Sequence, residues 1–125
     1  MCNGLGLDLC LISRMEELAE DERFLARYFT CEEAAYIKSR GASAAQTMAG
    51  IFAAKEAFVK ALGVGVSLPM RDIGVTHMPS GQPCYALTGK AAELAQGSTC
   101  MLSITHEGDM AAAVCMIMAG SRCDA

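Results

Sequence analysis

Hydrophobic and polar positions alternate from the start of the chain. Leu5, Leu7, Leu9 and Leu11 are interleaved with Gly4, Gly6, Asp8 and Cys10. That period of two predicts a strand over residues 2–12. Ser13 follows as an N-cap for a short helix from 14 to about 20. The charged stretch 20–27 leads to Thr30, which forms a capping box with Glu33 and opens a second helix to about 39. The period then changes. Residues 43–62 are rich in Ala and Met, contain no proline and stop at Gly63, which predicts one long helix with a glycine just past its end. On a wheel of roughly 100° per residue, Met48, Ile51, Phe52, Val59 and Leu62 form its apolar arc. Glu56 and Lys60 share one edge of that arc, and Lys55 falls nearer its centre, an unusual place for a lysine.

Beyond Pro69 the alternation returns over 72–77, and a turn-rich segment at 79–83 feeds a second strand over 84–87. Thr88 can cap a short helix to about 96, ended by Gly97. Strands over 99–106 and 110–118 follow, joined near Gly108 and Asp109. With no repeat and no linker, residues 1–125 read as a single α+β domain. An antiparallel-dominated β-sheet packs in it against one long helix and several shorter ones.

Composition narrows the function classes. The chain has 125 residues, 53% hydrophobic and 19% charged, with a net charge of −4. One domain of this size buries a sizeable core. Ten basic against 14 acidic residues leave no surplus for nucleic acid. The longest apolar run, 110–119, is half of the roughly 20 residues a spanning helix needs, so no membrane span is expected. The N-terminus has no basic region and carries Asp8 within its apolar stretch, unlike a secretory signal. Seven cysteines without CxxC spacing read as reduced, mostly buried thiols of a cytoplasmic protein.

Candidate chemistry begins with Asp8. A carboxylate in the middle of an apolar strand is costly unless it is solvated or paired. It either faces solvent or meets a cation or base. Glu56 and Lys60, four residues apart, form a surface ion pair in the plain reading; in the sharper one they face a cleft beside Asp8. Two carboxylates from separate elements suit Mg²⁺, which takes one or two protein carboxylates when a substrate phosphate completes its shell. His106 ends a strand whose face is Cys100, Leu102, Ile104 and His106, so it sits at the rim of an apolar face. The glycines of Gly63-Val64-Gly65 follow a helix C-terminus, the wrong end for a dipole-driven phosphate cradle.

Three segments in order carry a resemblance: Gly4-Leu5-Gly6-Leu7-Asp8, the run from Phe52-Ala53-Ala54-Lys55-Glu56-Ala57 through Lys60 to Gly63, and Ser103-Ile104-Thr105-His106-Glu107. Arg23-Phe24 with Arg27, Asp72-Ile73 and Gly81-Gln82-Pro83 add to it. Over residues 4–118 the chain resembles the holo-(acyl-carrier-protein) synthases, the small class of 4'-phosphopantetheinyl transferases. The resemblance implies Mg²⁺-dependent transfer of phosphopantetheine from coenzyme A to a serine of apo acyl carrier protein, with release of 3',5'-ADP, in support of fatty acid biosynthesis. It implies catalytic roles for Asp8, Glu56 and Lys60, metal ligation by Asp8 and Glu56, and coenzyme A contacts from Lys60, Gly63 and His106. It also implies a homotrimer with sites at subunit interfaces. Carrier proteins of this kind are acidic around the modified serine, which points to Arg14, Arg23 and Arg27 as docking residues.

Two positions depart from the family pattern. Leu11 stands where a glutamate is usual, and Ile51 where an arginine usually precedes the helix motif. The alternative reading is a catalytically degenerate coenzyme A-binding module of the same fold. Its signature would be loss of Asp8, Glu56 or Lys60, and all three are present. A small interaction domain without ligand has no reason to tolerate Asp8 within an apolar strand.

Overall fold

In a computed structural model, which describes residues 3–63 and 65–120, the chain runs β1 (Gly4–Leu11), α1 (Ile12–Leu18), α2 (Glu22–Tyr28), α3 (Cys31–Ser39), α4 (Ala44–Leu62), β2 (Ile73–His77), β3 (Pro83–Leu87), α5 (Gly89–Leu94), β4 (Ser98–Glu107) and β5 (Met110–Ala119). Cys2, Val64 and Cys123 lie outside the described residues. The strands form two antiparallel sheets, β1-β5-β4 and the hairpin β2-β3. Both pack on α4, as the α+β expectation requires. Asp8 pairs with Ala113, and Ala113 with Ile104, which sets the register across the larger sheet.

Helix α4 is central because its sequence allows close approach from several sides. Ala49, Ala53, Ala54, Ala57 and Ala61 are buried together with Met48, Ile51, Phe52 and Phe58. Strand β1 lies directly on it. A Cβ at Gly6 would fall 1.9 Å from the Ala57 carbonyl oxygen, and one at Gly4 would fall 2.0 Å from that of Ala61. Only glycine permits that contact. On the other side, the Tyr85 hydroxyl donates to the Ala54 carbonyl at 2.7 Å and ties β3 to the helix.

Lys55, the misplaced lysine of the wheel, is fully buried and explained by its partners. Its Nζ is 2.8 Å from Glu33 Oε1 and donates to the carbonyls of Ile73 (2.7 Å) and Met70 (3.1 Å). Glu33 also closes the expected capping box with Thr30 and accepts the Val75 amide at 2.7 Å. One buried pair thus joins α3, α4 and β2. Burial lowers the proton affinity of Lys55, and Glu33 opposes that shift.

Three local expectations change. The first helix begins at Ile12, and Ser13 lies inside it; the cap comes from Asp109, whose carboxylate accepts the Ser13 amide at 3.0 Å and hydroxyl at 2.7 Å. The charged stretch 20–27 is not a lead-in, because Glu22–Tyr28 is helical, capped by the Asp21 carboxylate. Thr88 does precede α5 but makes no capping bond; Asp72 accepts the Lys90 amide instead. The five described cysteines are free thiols, but only Cys10 and Cys115 are buried, Cys84 and Cys100 are half-buried, and Cys31 is exposed. Among the described residues no helix is long and apolar enough to cross a membrane.

The buried pair generates a stability test. Lys55→Met strands the Glu33 carboxylate in the core and should cost about 3–5 kcal/mol in urea unfolding. Adding Glu33→Gln removes the unpaired charge and should recover part of that loss. A single-variant cost below about 1 kcal/mol, the range of an exposed pair, would show that the pair does not lock the three elements.

Candidate active site

The alternation in β1 decides where Asp8 points. Gly4, Gly6, Asp8 and Cys10 face α4, whereas Leu5, Leu7, Leu9 and Leu11 face away and are exposed. With glycine two residues before it, Asp8 is brought against the helix at Glu56 and Lys60. The Lys60 Nζ lies 2.9 Å from Asp8 Oδ1 and donates to the Leu7 carbonyl at 3.1 Å. The Asp8 side chain is 14% exposed and that of Lys60 is 55% exposed, so the pair sits at a surface mouth and adds little stability.

Glu56 completes the cluster electrostatically. Burial raises its proton affinity above the ordinary carboxylate value, and the Asp8 charge raises it further; Lys60 and Arg14 pull the other way. Two carboxylates therefore share one opening beside two cations. The two carboxylates repel one another and present hard oxygen donors, an arrangement a divalent cation relieves. Among the described residues no group of three or more acidic, His or Cys side chains could hold a metal. Leu11, the next position where the resemblance expects a carboxylate, lies on the exposed face of β1. Water or substrate oxygens must supply the remaining ligands.

Arg14 lies beside the cluster, its guanidinium 5.4 Å from the centre of the Phe52 ring. Phe52 in turn contacts Tyr28 and Phe24, at 5.6 and 6.1 Å between ring centres. This aromatic ledge was not anticipated as part of the site. Its signal was present in the i, i+4 spacing of Phe24 and Tyr28, hidden while 20–27 was read as non-helical. Arg23 and Arg27 are exposed on α2. Gly63 caps the C-terminus of α4 with φ 117° and ψ 171°, a conformation open essentially to glycine alone.

His106 is not brought to Asp8 within one chain. It stands two strands across, roughly 10 Å, and two residues further along, roughly 7 Å. There it lines a separate cavity of about 240 Å³ with Tyr36, Arg40, Thr47, Ile51 and His77. The rings of Tyr36 and His77 stack at 4.4 Å, and Arg40 lies over Tyr36 at 5.7 Å. Ile51 forms part of this cavity wall, and Arg40 supplies a cation to the same space.

Comparison with known proteins defines the class. The model of the 4'-phosphopantetheinyl transferase superfamily matches residues 4–115. The fold is shared with the solved coenzyme A complex of the corresponding enzyme from Chronobacterium ammoniagenes (TM-score 0.81, 28% identity, 97% of this chain and 100% of that one). It is also shared with holo-(acyl-carrier-protein) synthase of Helicobacter pylori in complex with coenzyme A (TM-score 0.78, 29% identity, 90% and 98%). A holo-(acyl-carrier-protein) synthase of Treponema denticola is 41% identical over 121 residues, covering 94% of this chain and 98% of its own. One from Beijerinckia indica is 52% identical over 97 residues, covering 74% and 69%. The chain belongs to the holo-(acyl-carrier-protein) synthase family of this superfamily.

The raised proton affinity of Glu56 carries a pH signature. A carboxylate that holds its proton more tightly when folded favours the folded state at low pH. That contribution is lost as pH rises from its ordinary value of 4.5 through the higher folded value. Glu56→Gln should therefore raise the thermal midpoint at pH 7 in EDTA, with the difference vanishing near pH 4. Added Mg²⁺ should raise the midpoint of the parent protein and not that of the variant. A Gln variant less stable than the parent at pH 7 would contradict this electrostatic account.

Proposed function

We propose that this protein transfers the 4'-phosphopantetheine group of coenzyme A to a serine hydroxyl of apo acyl carrier protein and releases 3',5'-ADP, in support of fatty acid biosynthesis. The observation that carries the reading is the convergence of Asp8, Glu56 and Lys60 at one mouth between β1 and α4. They converge in a chain that aligns with holo-(acyl-carrier-protein) synthases along nearly its whole length. A degenerate binder would not need to retain all three.

The serine hydroxyl gives up its proton to solvent as its oxygen forms a new bond to phosphorus, the bridging bond from that phosphorus to the oxygen of 3',5'-ADP breaks, and negative charge grows on the leaving phosphate. Lys60, half-exposed and anchored by Asp8 and the Leu7 carbonyl, is placed to neutralise that charge or to give the leaving oxygen a proton. Asp8 and Glu56 would hold Mg²⁺, which when bound supplies charge neutralisation on the diphosphate. Arg14, Arg23 and Arg27 dock the acidic carrier surface and so deliver its serine to the mouth.

The site is proposed to be completed by a homotrimer. Support comes from the exposed face of the larger sheet, which carries Leu5, Leu7, Leu9, Met101, Met116 and Met118 at 43–65% exposure. Fully burying each such side chain contributes roughly 1.5–3 kcal/mol. The separation of His106 from Asp8 fits an active site shared between subunits. Each coenzyme A would then meet the reacting cluster of one subunit and the cavity with Arg40 and His106 of the next.

Intact-mass spectrometry of apo acyl carrier protein with this protein, coenzyme A and Mg²⁺ should show the gain of one phosphopantetheine. Asp8→Ala/Glu56→Ala and an EDTA sample should show none. No gain with any of several carrier proteins, while coenzyme A still binds, would turn the reading to the degenerate module. For the assembly, Leu7→Asp should convert a trimer to smaller species by light scattering. A parent protein that is monomeric at micromolar concentration would sink the shared-site proposal.

A further inference from the structure

The aromatic ledge does not end at the arginines. Tyr28 forms one wall of an open cleft of about 660 Å³ between α2 and the segment that precedes β2, lined also by Arg27, Leu68, Pro69, Met70 and Lys90. Leu68, Pro69 and Met70 line it together with Ser67, and its two charged side chains are both cationic. They stand on separate elements, Arg27 in the last turn of α2 and Lys90 on α5. Lys90 is held there: its Nζ donates to the Ser67 carbonyl at 2.7 Å, and its amide donates to Asp72. Neither Arg27 nor Lys90 takes part in an ion pair among the described residues, in a chain of net charge −4. Apolar side chains interspersed with polar groups and unpaired cations, in similar measure, are the make-up of a protein contact surface.

We infer that this cleft is the far half of the carrier-protein docking surface, with Lys90 as a further docking residue. The inference rests on the transferase reading above. The occupant is an acidic, amphipathic segment of the carrier protein. Its carboxylates meet Arg27 and Lys90, and an apolar side chain enters between Leu68 and Met70. Continuity supports this choice: Arg14, Phe52 and Tyr28 form an unbroken row of contacts from the Asp8–Glu56 mouth to the cleft wall. A partner that presents its serine to that mouth while gripping Arg27 lies across the cleft. Like-charged side chains that lack partners of their own select an acidic surface and speed its encounter.

The test is steady-state kinetics with apo carrier protein and coenzyme A, on the parent, Lys90→Glu, Lys90→Arg, Leu68→Gln and Arg14→Glu. Charge reversal at Lys90 should raise the carrier KM about fivefold to tenfold, with kcat and the coenzyme A KM within about twofold, and should flatten the dependence of carrier KM on salt. Lys90→Arg should restore the parent value. Leu68→Gln should raise the carrier KM without altering the salt dependence, which tests the apolar side chains independently of the cations. If Arg14→Glu raises the carrier KM and neither Lys90→Glu nor Leu68→Gln does, the cleft is not a docking surface while the transferase reading stands. If Lys90→Glu instead raises the coenzyme A KM, the cleft belongs to the other substrate and the inference is wrong. If the parent protein transfers nothing to any apo carrier protein, the underlying reading fails, and this inference fails with it.

Discussion

The contact of the β1 main chain with the α4 main chain governs this molecule. Gly4 and Gly6 rest on the carbonyls of Ala61 and Ala57 with no side chain between them, at a spacing no Cβ could enter. A strand that close to a helix places its next inward side chain, Asp8, directly over the following helical turn. Glu56 and Lys60 are there because they flank Ala57 and Ala61 in sequence. The reacting cluster is therefore set by backbone geometry, with small residues as the spacer. The same constraint turns the four leucines of β1 outward, and so leaves the sheet an exposed apolar face.

Helix α4 carries two ion pairs in opposite settings. Lys55 and Glu33 are buried, fully hydrogen-bonded and shared among three elements, so their value is in holding the helix against α3 and β2. Lys60 and Asp8 sit at the surface, where an ion pair contributes little to stability. Adjacent residues on a helix point about 100° apart. Lys55 can thus face the core while Glu56 faces the mouth. The first pair keeps rigid the helix on which the second is mounted, and rigidity matters because electrostatic stabilisation of a transition state depends on groups that need not reorganise. Burial and the Asp8 charge together outweigh what Lys60 and Arg14 offset at Glu56. That imbalance is a cost to the fold once Glu56 ionises.

Much of this was legible in the chain. The long helix and its glycine stop, the Thr30–Glu33 capping box, the hairpins and the antiparallel α+β class follow from local spacing, because hydrogen bonds and caps there join residues a few positions apart. The motif around Lys55, Glu56 and Lys60 marked the site. Where the outcome differs at α1, α5 and Lys55, the partners are remote in sequence. Asp109 caps α1 from 96 residues away, Asp72 replaces Thr88 at α5, and Lys55 makes sense only with Glu33 and the Ile73 carbonyl. The helix over Glu22–Tyr28 was obscured by its exposed charges, although Asp21 and the Phe24–Tyr28 spacing announced it.

The sequence by itself therefore determined which residues are the candidates for chemistry, and the helix and strands on which they ride. Only the tertiary structure decided which of them meet. It joined Asp8 to Lys60 and Glu56 across the glycine contact, and it left His106 on the opposite edge strand, in the cavity with Arg40. It also carried the aromatic ledge past Arg27 to Lys90. Periodicity records the face of an element on which a residue lies. Which element covers that face is set by long-range packing, and in β1 that packing buried the face with glycines and an aspartate and left the leucines exposed.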